Sequence, residues 1–182
     1  MIYIMAFLSV FQGYWTINVL KAYGWTKPAL MDDAYLTQVG SIAAFMGALR
    51  FLWSGAMDLD SASFKKVYGT LLILQVFLGL TIELATTSRF RFAIWMCAMV
   101  FTEGGHFTIV PNALKTIYGN SAGVIYGVIF TFTGLANILI LSVVRSDFAN
   151  NYDKVYILSS CLSFVALVIL VFGFREERLF IR

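Results

Sequence analysis

Glu103 and His106 are the residues of this chain best suited to acid–base chemistry. They stand three apart in the stretch Glu103-Gly104-Gly105-His106, within an apolar run over 92–114, and on a helix that spacing shares one face. An ionisable group at bilayer depth is costly, so its presence points to function by default. Histidine changes charge near neutral pH, and a carboxyl out of water can be made to hold a proton, so the pair could titrate protons or contact a polar substrate. The competing account is that the two bond to each other or to neighbouring helices and only fix the packing. Gly104, Gly105 and Pro111 are expected to weaken or bend the helix, because Pro lacks an amide donor and Gly costs about 1 kcal/mol. Broken helices often line a cavity.

Two further polar stripes stand at helical spacing: Ser9, Gln12 and Thr16, and Tyr126, Thr133 and Asn137. Either faces a polar path, with Gln12, Tyr126 and Asn137 lining a cavity, or bonds helix to helix. Chemistry of the enzymatic kind finds no support. One histidine, no spaced His/Cys/carboxylate set, no nucleophile elbow and no Gly-rich phosphate loop leave nothing from which to assemble a metal site or a Ser-His-Asp relay. No enzyme, metal or cofactor is expected. Cys97 and Cys161 lie in apolar runs, where a thiol behaves as a small hydrophobe.

The elements that must position these residues are membrane helices. Of the 182 residues 60% are hydrophobic and only 13% charged, about half the usual charged share, too little polar surface to cover a water-exposed globule. Net charge is +3 and no basic cluster exceeds Lys65-Lys66, which excludes a nucleic-acid partner. The first basic residue is Lys21, so neither a cleaved signal nor an Arg-rich presequence is expected, and Met1 opens directly into a span. Three stretches of about 20 residues carry no charge, 1–20, 124–144 and 155–174, each long enough to cross ~30 Å of hydrocarbon. Three interrupted ones, 34–53, 67–82 and 92–114, are read as spans too, with polar turns at 22–33, 58–66, 86–91, 115–121 and 145–154. The expected fold is an all-α membrane protein: a single domain of six transmembrane helices over 1–182.

Six crossings put both termini on one side with Lys65, Lys66, Lys115, Arg175, Arg178 and Arg182. Lys21, Lys27, Arg89, Arg91, Arg145 and Lys154 stand opposite. Six against six leaves the positive-inside rule undecided. Small residues at helical spacing, Gly40, Ala43 and Gly47 with Gly123, Gly127 and Thr131, are expected packing seams. An internal echo runs through the chain: Tyr23-Gly24 and Tyr118-Gly119, Arg50 and Arg145, and Asp58 and Asp153 are all 95 residues apart. Three helices are an odd number, so a repeat of three (about 1–88 and 89–182) would insert upside down, a 3+3 inverted repeat.

The turn after the second helix, Arg50, Trp53, Ser54, Gly55 and Asp58, is similar to the Arg-x-x-Trp-Gly-x-x-x-Asp signature of the oxalate:formate antiporter and monocarboxylate transporter branch of the major facilitator superfamily. Ser54 stands at the Gly position. The stretch Glu103 to Phe107, with Pro111, Tyr118-Gly119, Tyr126-Gly127 and Gly134, resembles the branch's tenth and eleventh helices. The resemblance covers essentially the whole chain and implies half of a major facilitator fold, helices seven to twelve, with Arg50 and Asp58 latching helix ends at a gate. It also implies a second half and carboxylate-binding cations mid-membrane on the eighth and eleventh helices. No Lys or Arg lies within 34–49 or 124–144, so those cations are expected to be missing and His106 to be the only basic group at depth. The favoured expectation is a degenerate half-transporter serving as a structural, accessory subunit of a larger membrane complex, partnered by lipid and other membrane subunits. The alternatives are a functional half-carrier for a small organic anion, pairing with itself or with a separate half, and a fragment of a full transporter. The mitochondrial inner membrane is the expected location, the plasma membrane the alternative.

Overall fold

The computed structural model describes residues 1–58, 63–144 and 151–174. Arg145, Arg175, Arg178 and Arg182, which entered the charge count and the repeat, lie outside the described residues. Among the described residues the chain is all-helical, with no strand. The helices are α1 (Ile2–Trp25), α2 (Asp33–Ala48), α3 (Phe51–Met57), α4 (Phe64–Leu80), α5 (Ile82–Ala85), α6 (Arg89–Tyr118), α7 (Ala122–Val144) and α8 (Tyr152–Val168). The last continues into a π-helical turn at Ile169–Gly173.

Three of the helix starts have a local cause. Asp32, Ser63 and Ser88 stand before α2, α4 and α6 in extended backbone, and their side chains accept from the amides of Tyr35, Lys66 and Arg91, filling donors that a helix start leaves bare. Gly119, at φ 54, takes a positive-φ conformation that suits glycine where α6 ends. Four runs are long and apolar enough to cross a membrane: Ile2–Trp25, Asp33–Met57, Arg89–Val144, which holds both α6 and α7, and Tyr152–Gly173. The stretch expected to span over 67–82 is not among them: α4 has 17 residues, about 25 Å of rise, before Thr81 interrupts it.

α1 and α6 form the centre. α1 packs on α2, α4, α6, α7 and α8; α6 packs on α1 through α5 and on α7; α4 and α8 pair with each other. The core has three storeys. One apolar cluster gathers Trp15, Tyr23, Leu36, Phe92, Met96 and Tyr156, the other Trp53, Phe64, Tyr68, Leu71, Ile109 and Leu170. Between them lies a polar layer of Ser9, Gln12, Thr16, Gln75, Thr102, Glu103, His106, Ser159, Ser160 and Ser163, all buried. Large apolar side chains such as Phe45, Phe77, Phe90, Val124, Ile138 and Phe172 are exposed. Polar groups inside and apolar ones outside is the distribution that lipid, not water, rewards.

The α1–α2 connection is tied to the start of α6. Arg89 pairs with Asp32 at 3.1 Å and lies over the Tyr35 ring. The Tyr35 amide, followed by the Arg89 guanidinium, holds the Asp32 carboxyl below its ordinary range. The end of α1 is tied to the start of α8: Tyr23 donates to Asp153, and Lys27 pairs with the same carboxylate at 2.8 Å.

Candidate functional site

Two polar features occupy the bundle, and they meet around Phe107. The first is the buried layer. His106 Nε2 lies 3.0 Å from the Gln75 side-chain nitrogen; an amide NH2 only donates, so Nε2 accepts and Nδ1 carries the proton. Nδ1 is 3.2 Å from the Tyr68 hydroxyl, which is 3.2 Å from Ser9 Oγ, which donates to the Met5 carbonyl at 2.7 Å. The bonds run in one direction, from Gln75 of α4 to His106 of α6, back to Tyr68 of α4 and on to Ser9 of α1. Gln12 donates to the Gln75 carbonyl at 3.0 Å.

Glu103 stands apart from that chain. It is 2% exposed, and neither carboxylate oxygen has a hydrogen-bond partner; the Gln12 side-chain oxygen has none either. The two expected partners, Glu103 and His106, therefore do not bond to each other. Glu103 fits only because α1 carries a glycine opposite: a Cβ on Gly13 would lie 2.0 Å from its Oε2 and 2.4 Å from its Cβ. Beside His106 is a cavity of about 30 Å³ bordered by Val10, Phe107, Tyr126, Phe130 and Thr133.

The second feature is a groove of about 400 Å³ lined by Tyr14 of α1, Arg50, Phe107 and Thr108 of α6, and Tyr126 and Phe130 of α7. Arg50 was expected to close the second helix. Instead α3 resumes after a turn at Leu49–Arg50, where the amides of Arg50 and Trp53 bond three residues back rather than four. Arg50 thus lies inside the Asp33–Met57 run. Its neighbours give its level: a Cβ on Gly104, midway along α6, would lie 2.9 Å from the Arg50 Cβ, and Thr108 donates to the Arg50 carbonyl at 3.2 Å. The span read over 34–53 already held Arg50 near its end; the structure keeps it inside the helical run, exposed on the α6 side, so that a basic group besides His106 lies within the apolar segments.

The residues around Arg50 explain how it is held. Trp53 is buried, donates to the Phe101 carbonyl at 3.1 Å and stacks on the Phe101 ring at 5.3 Å. Asn112 donates to Ser54 Oγ at 3.0 Å. The trio does not break the helix: α6 runs on through Gly104, Gly105 and Pro111. The two glycines serve close approach. A Cβ at Gly104 would meet the Gly47 carbonyl at 2.8 Å, and one at Gly105 would meet Leu71 at 2.3 Å and Trp53 at 3.0 Å.

Asp58 forms no ion pair with Arg50 among the described residues, so the latch that the signature implies is not made. Of the expected cavity residues, Gln12 is in the buried layer, Tyr126 borders both cavity and groove, and Asn137 donates to the Thr133 carbonyl of its own helix. The expected seams divide. Ala43 is buried and Gly47 packs on Val100, whereas Gly40, Gly123 and Gly127 face open space. Tyr14, Thr108 and Phe130, and Tyr68 and Gln75, were not singled out in the sequence. Gln75 had a signal, being the one amide side chain within 67–80; the aromatic residues had none in a chain that is 16% aromatic. No protein-family profile matches the chain, and no curated protein sequence matches it.

Proposed function

We propose that this chain is a six-span carrier half, made of two inverted three-helix repeats, which binds a small organic anion at Arg50 and forms its pathway with a second membrane unit, either another copy or a separately encoded half. The observation that carries the reading is Arg50, a guanidinium within the Asp33–Met57 run, lining a groove with no acidic residue in its walls and without an ion-pair partner among the described residues. A charge kept at that depth calls for a ligand or a counter-ion, and a planar guanidinium suits a carboxylate, which it grips through two parallel bonds.

The repeat draws support from the pattern of helix packing. Counting α2–α3 as one span and α4–α5 as another, exchange of the first three spans for the last three turns each broad pairing into another. α1 on α8 becomes α6 on α4, α2 on α6 becomes α7 on α1, and α1 on α2 becomes α6 on α7; α1 on α6 and α4 on α8 map onto themselves. In carriers of this architecture two halves rock around a central site, and one half alone leaves its groove open on one side.

The test is uptake of labelled acetate and benzoate into vesicles holding this chain with its native membrane partners. Arg50→Gln is expected to abolish uptake and Arg50→Lys to retain part of it. Uptake unaffected by Arg50→Gln overturns the reading. A second reading, a structural subunit of a larger membrane complex, is favoured by α7, whose Gly123, Gly127 and Gly134 front open space and so form a surface another helix could approach closely. Mild extraction of the native membrane separates the two. Co-migration at fixed stoichiometry in a large complex, with no uptake, supports the structural role in the mitochondrial inner membrane or the plasma membrane.

A further inference from the structure

From the walls of the Arg50 groove we propose that the anion it accepts is a carboxylate carried on a flat aromatic body, not a small aliphatic acid. The inference rests on the carrier reading and names its substrate class.

Four of the six lining residues are aromatic: Tyr14, Phe107, Tyr126 and Phe130. They form a connected set. Tyr14 and Phe107 meet edge to face at 6.4 Å, Phe107 and Phe130 at 6.0 Å, and Phe130 and Tyr126 at 5.9 Å. Such a set of ring edges and faces offers a planar π-system offset-stacked and edge contacts that a methyl or a bare carboxylate does not use.

The guanidinium is not consumed by those rings. The cation–ring pairs in the described residues are Lys27 with Tyr23 and Arg89 with Tyr35, and Arg50 is in neither. Charge and rings are therefore both available to one ligand, the carboxylate at Arg50 and the ring body along Phe107, Tyr126 and Phe130. The size agrees. About 400 Å³ falls in the range of cavities that hold drug-sized ligands, far more than a two-carbon acid fills.

The experiment is calorimetric titration of the purified full chain, in nanodiscs, with benzoate, cyclohexanecarboxylate, acetate and benzamide. Benzoate is expected to bind about tenfold or more tighter than acetate, and tighter than cyclohexanecarboxylate, which matches it in bulk but has no π-system. Benzamide, which lacks the charge, is expected to bind at least about tenfold weaker than benzoate. Phe130→Leu should lower benzoate affinity by a clearly larger factor than acetate affinity, and Arg50→Gln should abolish both. Arg50→Lys, which keeps the charge, controls for loss of fold and should retain weakened binding. Carboxylates that bind through Arg50 with acetate equal to benzoate overturn the aromatic preference alone. The absence of any Arg50-dependent carboxylate binding overturns the anion reading with it.

Discussion

Alanine at Gly104 and alanine at Gly127 should move the stability of this protein in opposite directions. Both glycines lie inside helices, where Ala is intrinsically better than Gly by about 1 kcal/mol. At Gly127 the added methyl enters open space, so nothing opposes that gain. At Gly104 it would lie 2.8 Å from the Gly47 carbonyl oxygen and 2.9 Å from the Arg50 Cβ. Neither is the end of a flexible side chain, so α2 must move off α6. Overpacking of this kind costs about 1–3 kcal/mol, leaving Gly104→Ala up to ~2 kcal/mol destabilised after the helix gain. For a chain of this length each kcal/mol is roughly 2–4 °C in Tm. Thermal-shift melts in one detergent should show Gly127→Ala a few degrees above the parent and Gly104→Ala as much as ~8 °C below it. Because the displaced contact is Arg50 itself, benzoate binding should weaken in Gly104→Ala and stay intact in Gly127→Ala. Equal shifts of the same sign would refute the close approach of α2 and α6, and with it the account of how Arg50 is aimed.

Asp32 should make stability pH-dependent in acid. Its carboxyl is held below the ordinary range first by the Tyr35 amide and then by Arg89, so its contribution is complete above the unfolded carboxylate pKa and is lost as pH falls through the lower folded value. Asp32→Asn keeps a capping side chain and should flatten the low-pH slope of a melt series, whereas an unchanged slope contradicts the assignment. Asp153→Asn weakens the hydrogen bond from Tyr23 and removes the charge paired with Lys27; a loss of about 1–3 kcal/mol is expected, read as a lower Tm, and no change would mean that the end of α1 is held otherwise. Glu103→Leu should raise Tm, since a buried carboxyl with no donor costs about 1–3 kcal/mol, and a lower Tm would show that the carboxyl has a partner.

The helical class and the polar turns between the runs were legible because they depend on neighbours in the chain. A Ser or Asp before an apolar run, and a Gly at the end of one, act within four residues. The level of Arg50 was not legible. A charge in an apolar run reads as its end, and only the α6 surface, with Gly104 opposite and Thr108 bonded to the Arg50 carbonyl, lets helix resume beyond it. The same limit misled the reading of Gly104 and Gly105. In one dimension they weaken a helix; in three they are the places where α2, α3 and α4 come close.

The echo at 95 residues shows where sequence and structure inform each other. It pairs Tyr23 with Tyr118 and Asp58 with Asp153. The structure joins Tyr23 to Asp153, across the end of α1 and the start of α8. The counterpart of that bond would join Tyr118 at the end of α6 to Asp58 after α3, and no hydrogen bond links those two described residues; Tyr118 is 49% exposed. The same two residue types thus recur 95 positions apart, joined in Tyr23 and Asp153 and not joined in Tyr118 and Asp58. Lys27 accounts for part of the difference. It pairs with Asp153 and lies over the Tyr23 ring, and the residue 95 positions on is Ala122, which supplies no cation to hold a second carboxylate beside a tyrosine. An Ala122→Lys substitution therefore asks a direct question of the repeat. If the two ends are equivalent, the new ammonium should draw Asp58 and Tyr118 together, and Tyr118 should become less accessible to iodination. Unchanged labelling would mean that the echo in the sequence does not extend to the geometry.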